Sequence, residues 1–176
     1  MSRSLSTLDP EFRERLEVLL EACAARGVDM RPYCTERSPS DQARLWRQSR
    51  STSEIDKAAR MLVDADAHWL AGVLLSVGPQ SGKWATNALP GQSWHQFGLA
   101  CDSYWLKDGI AQWSAAKGGN ANGYRVMAEE ASRLGLRSLG DIGDFPHVQG
   151  PADSSPRSAG MTWAEIDEAM RERFGC

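Results

Sequence analysis

Ser93-Trp94-His95-Gln96-Phe97-Gly98-Leu99-Ala100-Cys101-Asp102, with Asp144-Phe145-Pro146-His147 downstream, is the most informative pairing in the chain. The two stretches hold two of only three histidines, and each sets a carboxylate close to its imidazole. His95 and Asp102 are an odd number of residues apart. On one uninterrupted strand they would face opposite ways and lie about 23 Å apart, at about 3.3 Å per residue. They meet only if the chain bends between them. Gly98 permits the bend, because glycine reaches backbone angles that other residues resist. Beyond it, strand alternation puts Ala100, Asp102 and Tyr104 on one face, and Leu99, Cys101 and Trp105 on the other. A helix would also align positions seven apart, but Pro90, Gly91, Gly98 and the aromatic run after Asp102 favour loop, then strand.

The downstream stretch reads similarly. Pro146 excludes a continuing helix and biases Phe145 toward an extended conformation. His147-Val148-Gln149 is then a short strand with His147 and Gln149 on one face, and Asp144 lies at the loop end. Two imidazoles and one carboxylate, with a further carboxylate beside them, make the donor set of a catalytic zinc site. Such a site has three protein ligands, an open position for water and a separate base. The residues therefore predict zinc on His95, Asp102 and His147. Asp144 is expected to act as general base toward water and then as acid toward a leaving amine. Asp141 is a rival base, set back by the turn through Gly143.

Ser93, His95, Gly98, Ala100 and Asp102, followed by Asp144 three residues before His147, resemble the signature of the peptidoglycan zinc peptidases. That family holds D-alanyl-D-alanine carboxypeptidases and dipeptidases and the phage L-alanyl-D-glutamate endopeptidases. Upstream, Cys34-Thr35-Glu36-Arg37-Ser38-Pro39-Ser40-Asp41-Gln42-Ala43-Arg44-Leu45-Trp46 is similar to the family's strand-to-helix segment. The resemblance implies that Arg37 stabilises the developing oxyanion or a substrate carboxylate. It covers roughly residues 30 to 149, interrupted by an insertion, and implies a peptidase of the peptidoglycan stem peptide. Both motifs together are specific; either alone is weak.

Competing readings exist for several residues. Cys101 with His95 would make a nucleophilic pair, but the Cys101 side chain points away from Asp102. Reactive thiolates also need a helix N-terminus or a neighbouring cation. His68, inside an expected helix, reads as structural or surface. A wall-binding module keeping zinc for stability has no use for a non-ligand carboxylate at Asp144. Hydrolysis of a non-wall peptide shares the chemistry and differs only in the loops, especially 78–91 and 109–119.

At 176 residues the chain is expected to form one zinc peptidase domain over 1–176, with 151–176 a linker and a docked C-terminal helix. A net charge of −3 argues against a nucleic-acid binder, and means that adhesion to an anionic wall does not rest on overall charge. Arg44, Arg47 and Arg50 read as a solvated helix face. There is no apolar run of transmembrane length and no secretory signal. The expectation is a monomer without membrane insertion, cytoplasmic until released to the wall by a lysis system. That setting favours a phage or prophage endolysin cutting the L-alanyl-D-glutamate bond over an exported carboxypeptidase. Cys23, Cys34, Cys101 and Cys176 show no paired spacing and read as free thiols.

The remaining pattern gives an α+β fold: a small, mainly antiparallel sheet carrying the zinc site, flanked by several helices. Asp9 and Pro10 start a helix with Phe12, Leu16, Leu19, Leu20 and Cys23 on its apolar stripe, and Gly27 ends it. Residues 28–37 read as a strand, and Ser38-Pro39 opens a second helix. Residues 53–75 read as one long helix burying Ile55, Leu62, Val63, Leu70 and Val73, and 122–134 as another. Thr162-Trp163-Ala164-Glu165 is a capping box opening a last helix through Phe174, with Met161 and Ile166 placed as a staple.

Overall fold

Asp9 opens the first helix as its place before Pro10 predicts. In the computed structural model, which describes residues 1–115 and 122–175, α1 spans Pro10–Ala25. Asp9 Oδ1 accepts from the backbone of Glu11 and Phe12, at 3.0 and 3.1 Å. These are two of the four amides a helix start leaves unpaired. Phe12, Leu16, Leu19 and Cys23 are buried along one stripe, and Gly27 leaves the helix with φ +75°. Each such side chain, fully buried, contributes roughly 1.5–3 kcal/mol.

The stripe packs on a five-stranded sheet whose pairings are all antiparallel. The strands are β1 (Asp29–Cys34), β2 (Ala100–Lys107), β3 (Ile110–Gln112), β4 (Arg137–Leu139) and β5 (Asp144–Gln149), ordered β1-β2-β5-β4 with β3 on β2. Met30, Cys101, Trp105 and Val148 join α1 and α5 (Gly123–Arg133) in one core. Asn122 caps α5, and Gly123 is small by necessity. A Cβ there would lie 2.5 Å from the Trp105 ring. Among the described residues the chain has six α-helices and this antiparallel sheet, an α+β fold.

By its contacts the chain divides into two compact units interleaved along the sequence. The first is Met1–Glu36 with Phe97–Ala152, which holds α1, α5 and the sheet. The second is Arg37–Gln96 with the residues from Asp153 onward, and it is helical. In this second unit Ser38 caps α2 (Pro39–Arg47) through the Asp41 amide, 3.1 Å away. Of the three arginines expected on a solvated face, Arg44 is exposed beside Asp41, whereas the other two are engaged. Arg47 donates to the carbonyl of Leu74, and Arg50 lies over the Trp46 ring and donates to the carbonyl of Thr86.

Two expectations need correction. The strand read over 28–37 stops at Cys34, because Thr35 and Glu36 turn to pair with the backbone of Ser2. The long helix read over 53–75 is two, α3 (Thr52–Asp64) and α4 (His68–Ser76), parted where Asp66 takes φ +58°. The break changes the buried stripe. Leu62, Leu70 and Leu74 are inside, while Val63 is exposed and Val73 half-buried. His68 opens α4 on the surface, 3.9 Å from Asp66.

The last helix, α6 (Trp163–Phe174), carries the expected capping box, with Glu165 Oε2 accepting from the Thr162 amide at 2.7 Å. Ile166 and Met170 are fully buried. Asp167 reaches the start of α4, accepting from the Trp69 and Leu70 amides at 3.4 and 2.7 Å. That helix begins on Ala67, whose side chain cannot cap. Cys176 and residues 116–119 of the 109–119 loop lie outside the described residues.

Candidate metal centre

β2 and β5 run antiparallel with Ala100 opposite Gln149, Cys101 opposite Val148 and Asp102 opposite His147. Alternation sends Cys101 and Val148 into the core, so Asp102 and His147 stand together on the other face. His147 Nδ1 lies 3.0 Å from Asp102 Oδ1, with the two side chains 8% and 18% exposed. On the other side of β2, Cys34 is the register partner of Asp102, and its Sγ lies within 4.8 Å of the Asp102 carboxylate.

The protonation of this pair follows from its neighbours. Gln149 Nε2 donates to the carbonyl of Pro151 at 2.8 Å, which fixes the amide the right way round. Gln149 Oε1 therefore faces His147 Nε2 at 3.0 Å and can only accept. So Nε2 carries the hydrogen, and the lone pair of a neutral ring lies on Nδ1, aimed at a carboxylate oxygen. Two acceptors facing each other at 3.0 Å need a cation between them, either a proton or a metal. The arrangement fits zinc, whose tetrahedral ligands at about 2.0–2.1 Å stand about 3.3 Å apart. It also matches the rule that a metal-binding histidine donates its other N–H to an orienting acceptor. Without metal, burial pulls the His147 pKa down, but the hydrogen bond and charge of Asp102 outweigh it. Asp144 and Gln149 add to the upward shift, so the imidazole is held above its ordinary value.

Asp144 is the first residue of β5, exposed, after Gly143 turns with φ +89°. Its charge is felt at His147, three residues along the strand. Asp141 points elsewhere, with a carboxylate oxygen 3.7 Å from Arg137. Burial pushes the Cys101 thiol up to about 12, which denies it the thiolate a nucleophile needs. Cys23 and Cys34 are likewise reduced and buried.

Gly98 bends the chain before β2, with φ +72°. Its carbonyl accepts from Asp9, and that of Leu99 from Gly150, each at 3.0 Å, so the bend is held from two sides. The structure thus pairs Asp102 with His147, and Asp144 lies in the same unit. His95 and Arg37 belong to the second. His95 is 2% exposed in the 3-10 turn Trp94–Phe97, which Gln96 Oε1 ties down by accepting from the amides of Gly91 and Ser93. Arg37, just before the α2 cap, donates to Gln42 Oε1 at 3.2 Å. Gln42 is fully buried and fixed on the carbonyl of Ala88.

Two neighbours of the pair carry roles that sequence reasoning missed. Gln149 was legible as sharing the face of His147 by alternation, but its orienting role needs the Pro151 carbonyl. Cys34 reaches Asp102 only through a register shift between Pro32 and Cys34. A cavity of about 850 Å³ between α5 and β4, lined by Tyr124, Arg125, Arg137 and Phe145 among others, includes neither Asp102 nor His147. It is not this site.

β2 and β5 thus present an aspartate–histidine pair with a cation, a proton or a metal, between its facing acceptors. The family model of the D-alanyl-D-alanine carboxypeptidases (VanY) matches residues 5–138, about three quarters of the chain, and the chain belongs to that family. It is accordingly a peptidase of a family directed at peptidoglycan. The matched stretch takes in Arg37, His95 and Asp102 and ends before Asp144 and His147. No curated protein matches the chain.

Proposed function

We propose that the protein is a zinc-dependent peptidase that hydrolyses a peptide bond of the peptidoglycan stem. The observation that carries this reading is the Gln149–His147–Asp102 chain, in which Nδ1 is left as an acceptor facing a carboxylate. His147 and Asp102 hold the metal. His95 would be the third ligand in this reading. A zinc ion bound there supplies Lewis-acid polarisation and acidifies water toward neutral pH.

The chain's own groups do the rest. Asp144 takes the proton of the attacking water on its carboxylate and returns it to the leaving amine nitrogen. Arg37, held by Gln42, would stabilise the negative charge of the tetrahedral oxygen or of a substrate carboxylate. Exposure at the start of β5 suits Asp144 to a proton that must come and go.

The bond cleaved divides two readings. L-alanyl-D-glutamate endopeptidase action goes with an endolysin of phage origin, cytoplasmic until the wall becomes accessible. D-alanyl-D-alanine carboxypeptidase action is favoured by the description of the matching family. Mass spectrometry of the products from purified sacculi separates them, since the released fragment identifies the bond. Asp144→Ala tests the reading itself. It should bind zinc as the parent does and lose hydrolysis by about 10²–10⁴-fold. A variant keeping both zinc and full activity would refute the assigned base. Sacculi bound without release of new amino groups would point to a wall-binding module instead.

A further inference from the structure

Three aromatic rings continue the face of Asp102 along the sheet, and the chemistry above uses none of them. Tyr104 stands two residues beyond Asp102 on β2 and so points the same way. Trp113 follows β3 directly, and its ring centroid lies 5.3 Å from that of Tyr104, tilted by 37°, and 5.0 Å from that of Tyr33, nearly edge-on at 79°. Trp113 is 54% exposed and Tyr33 38%. Contiguous aromatic surface kept in water marks a contact site.

We propose that Tyr33, Tyr104 and Trp113 bind an N-acetylhexosamine of the glycan that bears the stem peptide, aligning the peptide along β2 toward Asp102. The choice of polymer rests on the function proposed above; the binding surface itself does not. Ring faces carry the negative part of the aromatic quadrupole, so the weakly positive C–H face of a pyranose stacks on them. The hydroxyls and the acetamido group remain at the rim, within reach of water and of the tyrosine hydroxyls. Arg3, whose guanidinium lies 5.1 Å from the Tyr33 centroid, covers one face of that ring and leaves Trp113, the most exposed of the three, as the main stacking surface. Trp113 is thus a specificity residue, making hydrolysis favour glycan-linked over free stem peptide.

The test uses the full chain, stripped of metal, with N-acetylglucosamine tetramer as probe in saturation-transfer NMR and titration calorimetry. The parent should bind it saturably, and Trp113→Ala about tenfold more weakly. Ile110→Ala, an exposed neighbour on the same hairpin, should bind as the parent does. Thermal melting confirms that the variants fold. On zinc-loaded protein, Trp113→Ala should raise KM about tenfold for glycan-linked muropeptide and leave kcat and free-peptide hydrolysis unchanged. Sugar binding that Trp113→Ala leaves intact overturns the proposal, as does an equal loss on free and glycan-linked peptides. Displacement of the tetramer by a simple alkylammonium salt overturns it too, in favour of a cation site. Tetramer binding by a protein that hydrolyses no muropeptide would refute the peptidase reading and leave the sugar surface standing.

Discussion

Replacing Gln149 by leucine removes the acceptor that keeps the His147 proton on Nε2. The ring is then free to place its hydrogen on Nδ1, toward Asp102, and a metal must first displace it. Gln149→Leu should weaken zinc affinity about 10–100-fold, measured by competition with a chromogenic chelator. The pH dependence has a fixed sign. The raised imidazole pKa means that, without metal, the His147–Asp102 pair stabilises the fold fully below about pH 6.5, the unfolded value. That contribution is lost as pH climbs through the folded value. Zinc competes with the same proton, so its affinity moves the opposite way. The gap between zinc-loaded and metal-free melting temperatures should therefore widen from about pH 6 to about pH 8. A gap constant over that range would mean that His147 is not a ligand.

At the scale of elements, Asp167 shows how a helix end can be completed from afar. Asp167→Ala should cost about 0.5–2 kcal/mol, read by denaturant unfolding, although the residue lies mid-helix and touches no site. The elements legible in the sequence are those with local signals. Asp9-Pro10, Ser38-Pro39 and Thr162 with Glu165 each announce a helix start within four residues, and the structure keeps all three. Alternation placed Asp102 and His147 on their faces because one side of β2 and β5 is core. The break between α3 and α4 had no such mark. No glycine or proline stands at the break itself, residues 64–68, and Asp66 enters the left-handed region while Asp167, 97 residues from Leu70, supplies the missing cap. The end of β1 was hidden for the same reason, since it depends on pairing with Ser2.

For the molecule as a whole, charge offers little grip on an anionic wall. Net charge is −3, and its arginines are largely spoken for: Arg26 pairs with Glu129 and Glu130, Arg15 with the carbonyls of Leu134 and Gly135. Association with purified sacculi should then change by less than about twofold between about 0.05 and about 0.5 M salt, measured by co-sedimentation. A steep loss would reveal a basic patch acting against the overall balance. Among the described residues no helix is long and apolar enough to cross a membrane.

The cap lent by Asp167 also sets an order of events during synthesis. α4 leaves the ribosome long before the segment that finishes it, and until that segment emerges its first amides are bonded only to solvent. The sheet-bearing unit has all its strands once residue 149 is out. The portion translated in between is therefore the one that matures later, an inversion of the usual N-to-C sequence that pulse-labelled nascent chains would reveal.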